Sequence, residues 1–118
     1  MSNEVIDLPE FLDRVQDDKE LLLELLDIFV GDYQQKRLQL TDAAEKGDVE
    51  KIKNIAHSLK GSSGNISAKS MRQSFVEIEE KIKENKMNDV KGILKTLDKQ
   101  FPLLQQRIEQ LKVELKPS

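Results

Sequence analysis

Apolar residues recur at intervals of three and four along four successive stretches of this chain, a period that specifies helices packed on one another and excludes strands. Over residues 19–46 the repeat is Leu22, Leu25, Leu26, Phe29, Tyr33, Leu40, Ala43 and Ala44, with Gly47 as the stop signal. Over 48–63 it is Val49, Ile52, Ile55, Ala56, Leu59 and Ser63, with Asp48 as the cap and an end between Ser63 and Asn65, where Gly64-Asn65 signals a turn. Ser67 opens the third stretch as its N-cap, Met71, Phe75, Ile78 and Ile82 form its buried face, and it ends near Asn85 to Met87. Asn88 caps the fourth, about 89–115, which carries Val90, Ile93, Leu94, Leu97, Phe101, Leu104, Ile108, Leu111 and Leu115. Pro102 falls inside it and is expected to kink or split it.

A shorter helix precedes these four. Asp7 is a cap candidate, Pro9 suits a first turn, and Phe11, Leu12 and Val15 make one apolar side. Either Asp17 or Asp18 can cap the helix that follows, and residues 1–6 read as a loose terminus. Joints of a few residues make successive helices antiparallel. The expected fold is therefore all-α: an up-down-up-down antiparallel four-helix bundle with a short extra N-terminal helix. One domain spans 1–118, ordered over about 7–115, since 118 residues build one core and not two. No repeat of 20 to 50 residues suggests a solenoid.

Composition narrows the chemistry. There is no cysteine, so disulfides and thiolate metal sites are excluded, and a single histidine excludes multi-histidine sites. The start, Met1-Ser2-Asn3-Glu4, lacks a basic region followed by an apolar run, and no segment approaches the roughly 18 apolar residues of a membrane span. A cytoplasmic location is the default expectation. The net charge of -3 conceals an asymmetry: residues 1–50 hold 14 acids and 5 bases, 51–118 hold 8 and 14, and no acid occurs from Lys51 to Val76. That basic stretch is small, has no interleaved aromatics and belongs to an acidic protein, which fits a phosphoryl group or an acidic protein pocket better than nucleic acid.

The one histidine, His57, lies in the middle of this basic stretch. At ~100° per residue it sits about 140° from the centre of the apolar stripe of 48–63, so its ring faces solvent. Lys53 lies a turn before it, and Lys60 and Gly61 a turn after. Gly61 lowers helix propensity and ends nothing, because Leu59 and Ser63 continue the stripe on either side. Its use is access, since a partner can approach the imidazole over a position with no side chain. Lys60 and Lys53 would lower the electrostatic cost of a dianion there.

His57-Ser58-Leu59-Lys60-Gly61-Ser62-Ser63, preceded by Ala56 and followed by Ala68, resembles the phosphoacceptor motif of histidine-containing phosphotransfer (HPt) domains, His-x-Leu-Lys-Gly-x-Ser with a downstream Gly-Ala pair. Ser67 stands where that pair has its glycine and is read as an N-cap substitute. Phe75-Val76-Glu77-Ile78-Glu79 resembles a family segment that ends in Leu-Glu. The resemblance places Glu79 where the family has a Glu or Gln bonded to the far nitrogen of the acceptor imidazole; alternatively Glu79 is a solvated residue paired with Lys83, four positions on. As sequence the resemblance is specific over 56–82, and as architecture it covers the chain.

The resemblance implies that His57 accepts a phosphoryl group from a receiver-domain aspartate or a kinase and passes it to a response regulator in a two-component phosphorelay. The partners are then receiver domains and a histidine kinase, hybrid or not, with no nucleic acid and no membrane insertion. The chain would need no cofactor or metal of its own, because Mg²⁺ and the aspartate belong to the receiver, and it would be a carrier and not an enzyme. It has no nucleotide-binding half with which to phosphorylate itself, and its start at Met1 favours an independent protein. The rival reading is a helical docking module that binds a receiver or kinase without transfer; a third is a purely structural adaptor. Two features of residues 19–46 stay open. Leu21, Leu23, Ile28 and Val30 widen the apolar surface, to be covered by the first helix, left exposed beside His57 for docking, or both. Gly31-Asp32 is a mild kink or a tolerated glycine.

Overall fold

A computed structural model describes residues 5–115 of the chain. It contains α1 (Leu8–Arg14), α2 (Lys19–Lys46), α3 (Val49–Asn65), α4 (Lys69–Lys83) and α5 (Met87–Glu114), with no strand among the described residues. The four long helices follow one another around a ring: α2 packs on α3, α3 on α4, α4 on α5, and α5 back on α2, while α1 lies against α2.

Aspartates start three helices. Asp7, Asp18 and Asp48 each accept a hydrogen bond from the backbone N–H three residues on, at 3.2, 3.0 and 3.1 Å. One left-handed residue stands in each of the later joints, Gly47 (φ 67°), Ser67 (φ 58°) and Asn85 (φ 59°), and two, Gln16 and Asp17, stand between α1 and α2.

Two expected caps are not caps. Ser67 lies in the turn itself: its N–H bonds to Gly64 O at 3.0 Å, its carbonyl accepts from Asp7 N at 2.9 Å, and its Oγ meets Glu10 Oε1 at 3.2 Å. Ala68 occupies the N-cap position of α4 without a side-chain bond. The glycine of the resembled Gly-Ala pair thus corresponds to a position of positive φ, where a Cβ costs about 1 kcal/mol or more. Ser67→Gly is accordingly expected to be about 1 kcal/mol more stable than Ser67→Ala in urea unfolding, since both lose the Oγ bond and only the glycine relieves the backbone. Asn88 likewise lies inside α5, whose N-cap position is Lys86. The left-handed Asn85 and the Lys86 N–H bond to Lys81 O at 2.9 Å complete the reversal early, so α5 is already under way at Met87. The end of α3 falls at Asn65, within the expected bounds, and the turn that Gly64-Asn65 signals follows directly, closed by the Ser67 N–H bond to Gly64 O.

The apolar repeats are buried largely as spaced. Leu22, Leu26, Phe29, Tyr33, Ile52, Leu59, Met71, Phe75, Ile78, Leu97, Leu104 and Ile108 belong to one continuous core. Val49 departs from it, being 41% exposed at the first residue of α3, and Leu25 and Phe101 are only half-buried. Helix α5 runs unbroken through Pro102, which sits on its exposed side and removes a single N–H from the helix. Gly31 is a tolerated glycine in an uninterrupted α2, with open space where a Cβ would stand.

Helix α1 adds Phe11 to the core and is tied down at its start. Lys69 Nζ reaches Asp7 at 3.1 Å and Glu10 at 2.7 Å, and these bonds from Lys69 hold both carboxyls below their ordinary range. The clamp is therefore complete above the ordinary carboxylate range and loosens only as pH falls through the lowered values. Part of the apolar surplus of α2 is covered, with Leu23 and Val30 half-buried against the core, while Ile28 remains 67% exposed.

Candidate functional site

Ile52, Ile55, Ala56, Leu59 and Ser63 pin α3 into the core, which fixes what its opposite side presents. His57 projects from that side with its side chain 73% exposed. Its Nδ1 lies 3.3 Å from Glu79 Oε2 on α4, and the other oxygen of the same carboxylate, Oε1, takes Lys60 Nζ at 2.8 Å. Glu79 thus bridges the histidine and the lysine one turn later, and no pairing with Lys83 is needed to account for it. Partial burial pushes the Glu79 carboxyl upward, but the hydrogen bonds from Lys60 and then His57 outweigh it and hold the group below the usual carboxylate range. A carboxylate facing Nδ1 selects the tautomer protonated there, which leaves the Nε2 lone pair as the free nucleophile. No bond engages Nε2 among the described residues.

A groove of about 650 Å³ runs from His57 between α3 and α4, lined by Val49, Lys53, Lys60, Val76 and Glu79 among others. Lys53 is exposed on its wall, and among the described residues no ion pair ties it to His57 or Glu79. Gly61 is exposed, and a Cβ added there would meet nothing within 4 Å. Its lack of a side chain therefore serves no internal packing.

On the other flank of His57 stands a group that the sequence did not single out. Lys36 of α2 bonds to Ser58 Oγ at 2.9 Å and to Asp32 at 2.9 Å, bringing an ion pair to the residue next to His57. The Asp32–Lys36 spacing of four is readable along the chain; its alignment with Ser58 depends on the register of two helices, which is not. Below it, a hollow of about 260 Å³ between α2 and α3 is lined by Leu25, Ile28, Phe29, Asp32, Ser62 and Asn65. Among the described residues no three carboxylates or histidines gather in a way that could hold a metal ion.

The pattern of the Hpt domain matches residues 24–114, from the second turn of α2 to the end of α5. This chain belongs to the Hpt domain family. Membership ties it to phosphotransfer in two-component phosphorelays, where Hpt domains interact with receiver domains and kinases. Helix α1 lies outside the matched span of this Hpt domain. Neither the curated proteins nor the solved structures compared with it gave a match. None of its described helices is long and apolar enough to cross a membrane.

Proposed function

We propose that this Hpt domain is a phosphoryl carrier that takes a phosphoryl group onto Nε2 of His57 from a receiver-domain aspartate or a kinase and hands it to a response regulator. The observation that carries the reading is the pairing of Glu79 with Nδ1 on a ring that is otherwise open to solvent. The Nε2 lone pair attacks phosphorus, the N–P bond forms as the P–O bond to the aspartyl carboxylate breaks, and the carboxylate leaves with the electron pair. The ring then carries positive charge, which the Glu79 carboxylate offsets through Nδ1–H. Lys60 keeps that carboxylate ionised, and Lys53 adds positive potential toward the incoming dianion.

Such a chain is a carrier and not an enzyme in its own right. The Mg²⁺ and the acidic residues that neutralise the transferring group are supplied by the receiver domain. The receiver approaches over Gly61, with Ile28 and the α2–α3 hollow beside it as its apolar footing. An up-down-up-down arrangement of α2–α5 supports this geometry. Asp27 pairs with Lys112 and Arg37 with Asp98, while His57 meets Glu79 and Gly64 lies against Arg72, so residue numbers rise on one helix as they fall on its neighbour.

The test is incubation with a phosphorylated receiver domain and Mg²⁺, followed by intact mass and lability. One acid-labile, base-stable phosphoryl group supports the carrier; absence of label from several receivers that still bind it supports a docking module. Glu79→Gln keeps a hydrogen-bonding side chain but loses the charge, and transfer should slow about tenfold, as for loss of one charge-assisted bond. A rate unchanged in quench-flow would remove Glu79 from the mechanism.

A further inference from the structure

Of the five glycines in this chain, Gly64 is the one whose missing side chain is taken up by a neighbour. A Cβ there would stand 3.3 Å from both Cδ and Nε of Arg72 on α4, closer than side chains ordinarily pack. Gly64 is helical and has no positive φ, so its backbone does not call for a glycine. Its bareness provides a seat, on which the arginine lies with its guanidinium against α3.

The seated group has nothing to hold. The cations around it are engaged, Lys60 by Glu79 and Lys69 by Asp7 and Glu10, whereas Arg72 is exposed and enters no ion pair among the described residues. No acid occurs from Lys51 to Val76 to supply one locally. Gly64 follows His57 by seven residues, which puts it on the same side of α3 and about 10 Å along the axis. Gly61 lies between them, so a surface of α3 bare of side chains leads from the imidazole to the arginine. Seated at that distance, the guanidinium is out of reach of a group bound to Nε2, and what it can meet is the body of the partner that brings the group. Its planar fork suits a carboxylate, taken by two parallel bonds. We infer that Arg72 is a docking contact for the receiver domain, pairing with a carboxylate at the rim of the receiver's acidic pocket while that pocket covers His57. The inference rests on the proposed approach of a receiver over Gly61.

The experiment measures binding of a response-regulator receiver domain with Mg²⁺ to the full chain and to three variants. Arg72→Gln should raise Kd about fivefold at low salt, the upper range for one partly exposed charge pair, and the difference should fall below about twofold in ~0.5 M salt. Arg72→Lys keeps the charge without the fork and should lie between the two. Lys51→Gln makes the same change of charge about 120° away around α3 and at its far end, and should bind as the parent does. With receiver at saturation, Arg72→Gln should transfer as fast as the parent, because the contact is with the partner's body and not with the reacting group. Equal binding of the parent and Arg72→Gln, an equal loss in Lys51→Gln, or a slower saturated rate in Arg72→Gln would each overturn the contact and leave the carrier reading standing. A parent that binds no receiver overturns both.

Discussion

His57→Gln should accept no phosphoryl group from any receiver domain, a complete loss against the parent, while unfolding in urea within about 0.5 kcal/mol of it. The two halves of that expectation come from one fact, the 73% exposure of the side chain. A ring that buries little and accepts no core contact contributes little to folding, so its removal leaves Ile52, Ile55 and Leu59 packed as before. Glutamine keeps a polar side chain that can face Glu79 but has no nucleophilic nitrogen, because its amide lone pair is delocalised. Intact mass after exposure to phosphorylated receiver measures the loss, and binding of the receiver measured alongside separates carrier from docking module. A variant that binds and is unlabelled, beside a parent that is labelled, fits the carrier; equal behaviour of the two proteins removes His57 from the function.

Gly61→Trp carries the next largest effect, a fall in transfer rate of about 100-fold, the penalty expected when reacting groups are held roughly 1 Å or more out of place. The fold should survive the change. A Cβ at 61 meets nothing within 4 Å, so the indole has open space to enter and blocks only what approaches from outside. Gly61→Ala supplies the control: it should stabilise the protein by about 1 kcal/mol through helix propensity alone, with far less effect on transfer. Stopped transfer in Gly61→Trp together with raised stability in Gly61→Ala would show that the glycine is retained at a cost to the helix for the sake of the approach to His57. Full transfer in Gly61→Trp would place the partner elsewhere on the domain.

Much of this molecule is legible along the chain because its signals are local. Asp18, Asp48 and Gly47 act within one helical turn of themselves, and the helix bounds 19–46 follow from them directly. The exposure of His57 follows from the stripe of α3, again a property of one helix. Ser67 and Asn88 misled for a physical reason: both types favour N-caps, but the cap position falls on the residue directly after the left-handed one, which is Ala68 and Lys86 in these joints as it is Asp48 after Gly47. Ser67 is that left-handed residue, and Asn88 falls after the joint at Asn85 is complete. What the sequence could not carry was anything set by helix register. The reach of Glu79 to both His57 and Lys60 was one of two open readings, and the Lys36–Ser58 contact and the seat of Arg72 on Gly64 had no local signal at all.

The bond between Glu79 and His57 belongs to the unmodified side chain, and it bears on traffic through a carrier of the kind proposed. A ring whose tautomer and orientation are set beforehand does no rearranging on loading or unloading, so neither passage carries a reorientation cost within this domain. Nothing in this domain then works as a ratchet. In a carrier of that kind the net flow would be fixed outside the domain, by how fast each aspartyl phosphate is made and how fast it is hydrolysed, and the domain would equilibrate whichever two pools it is placed between.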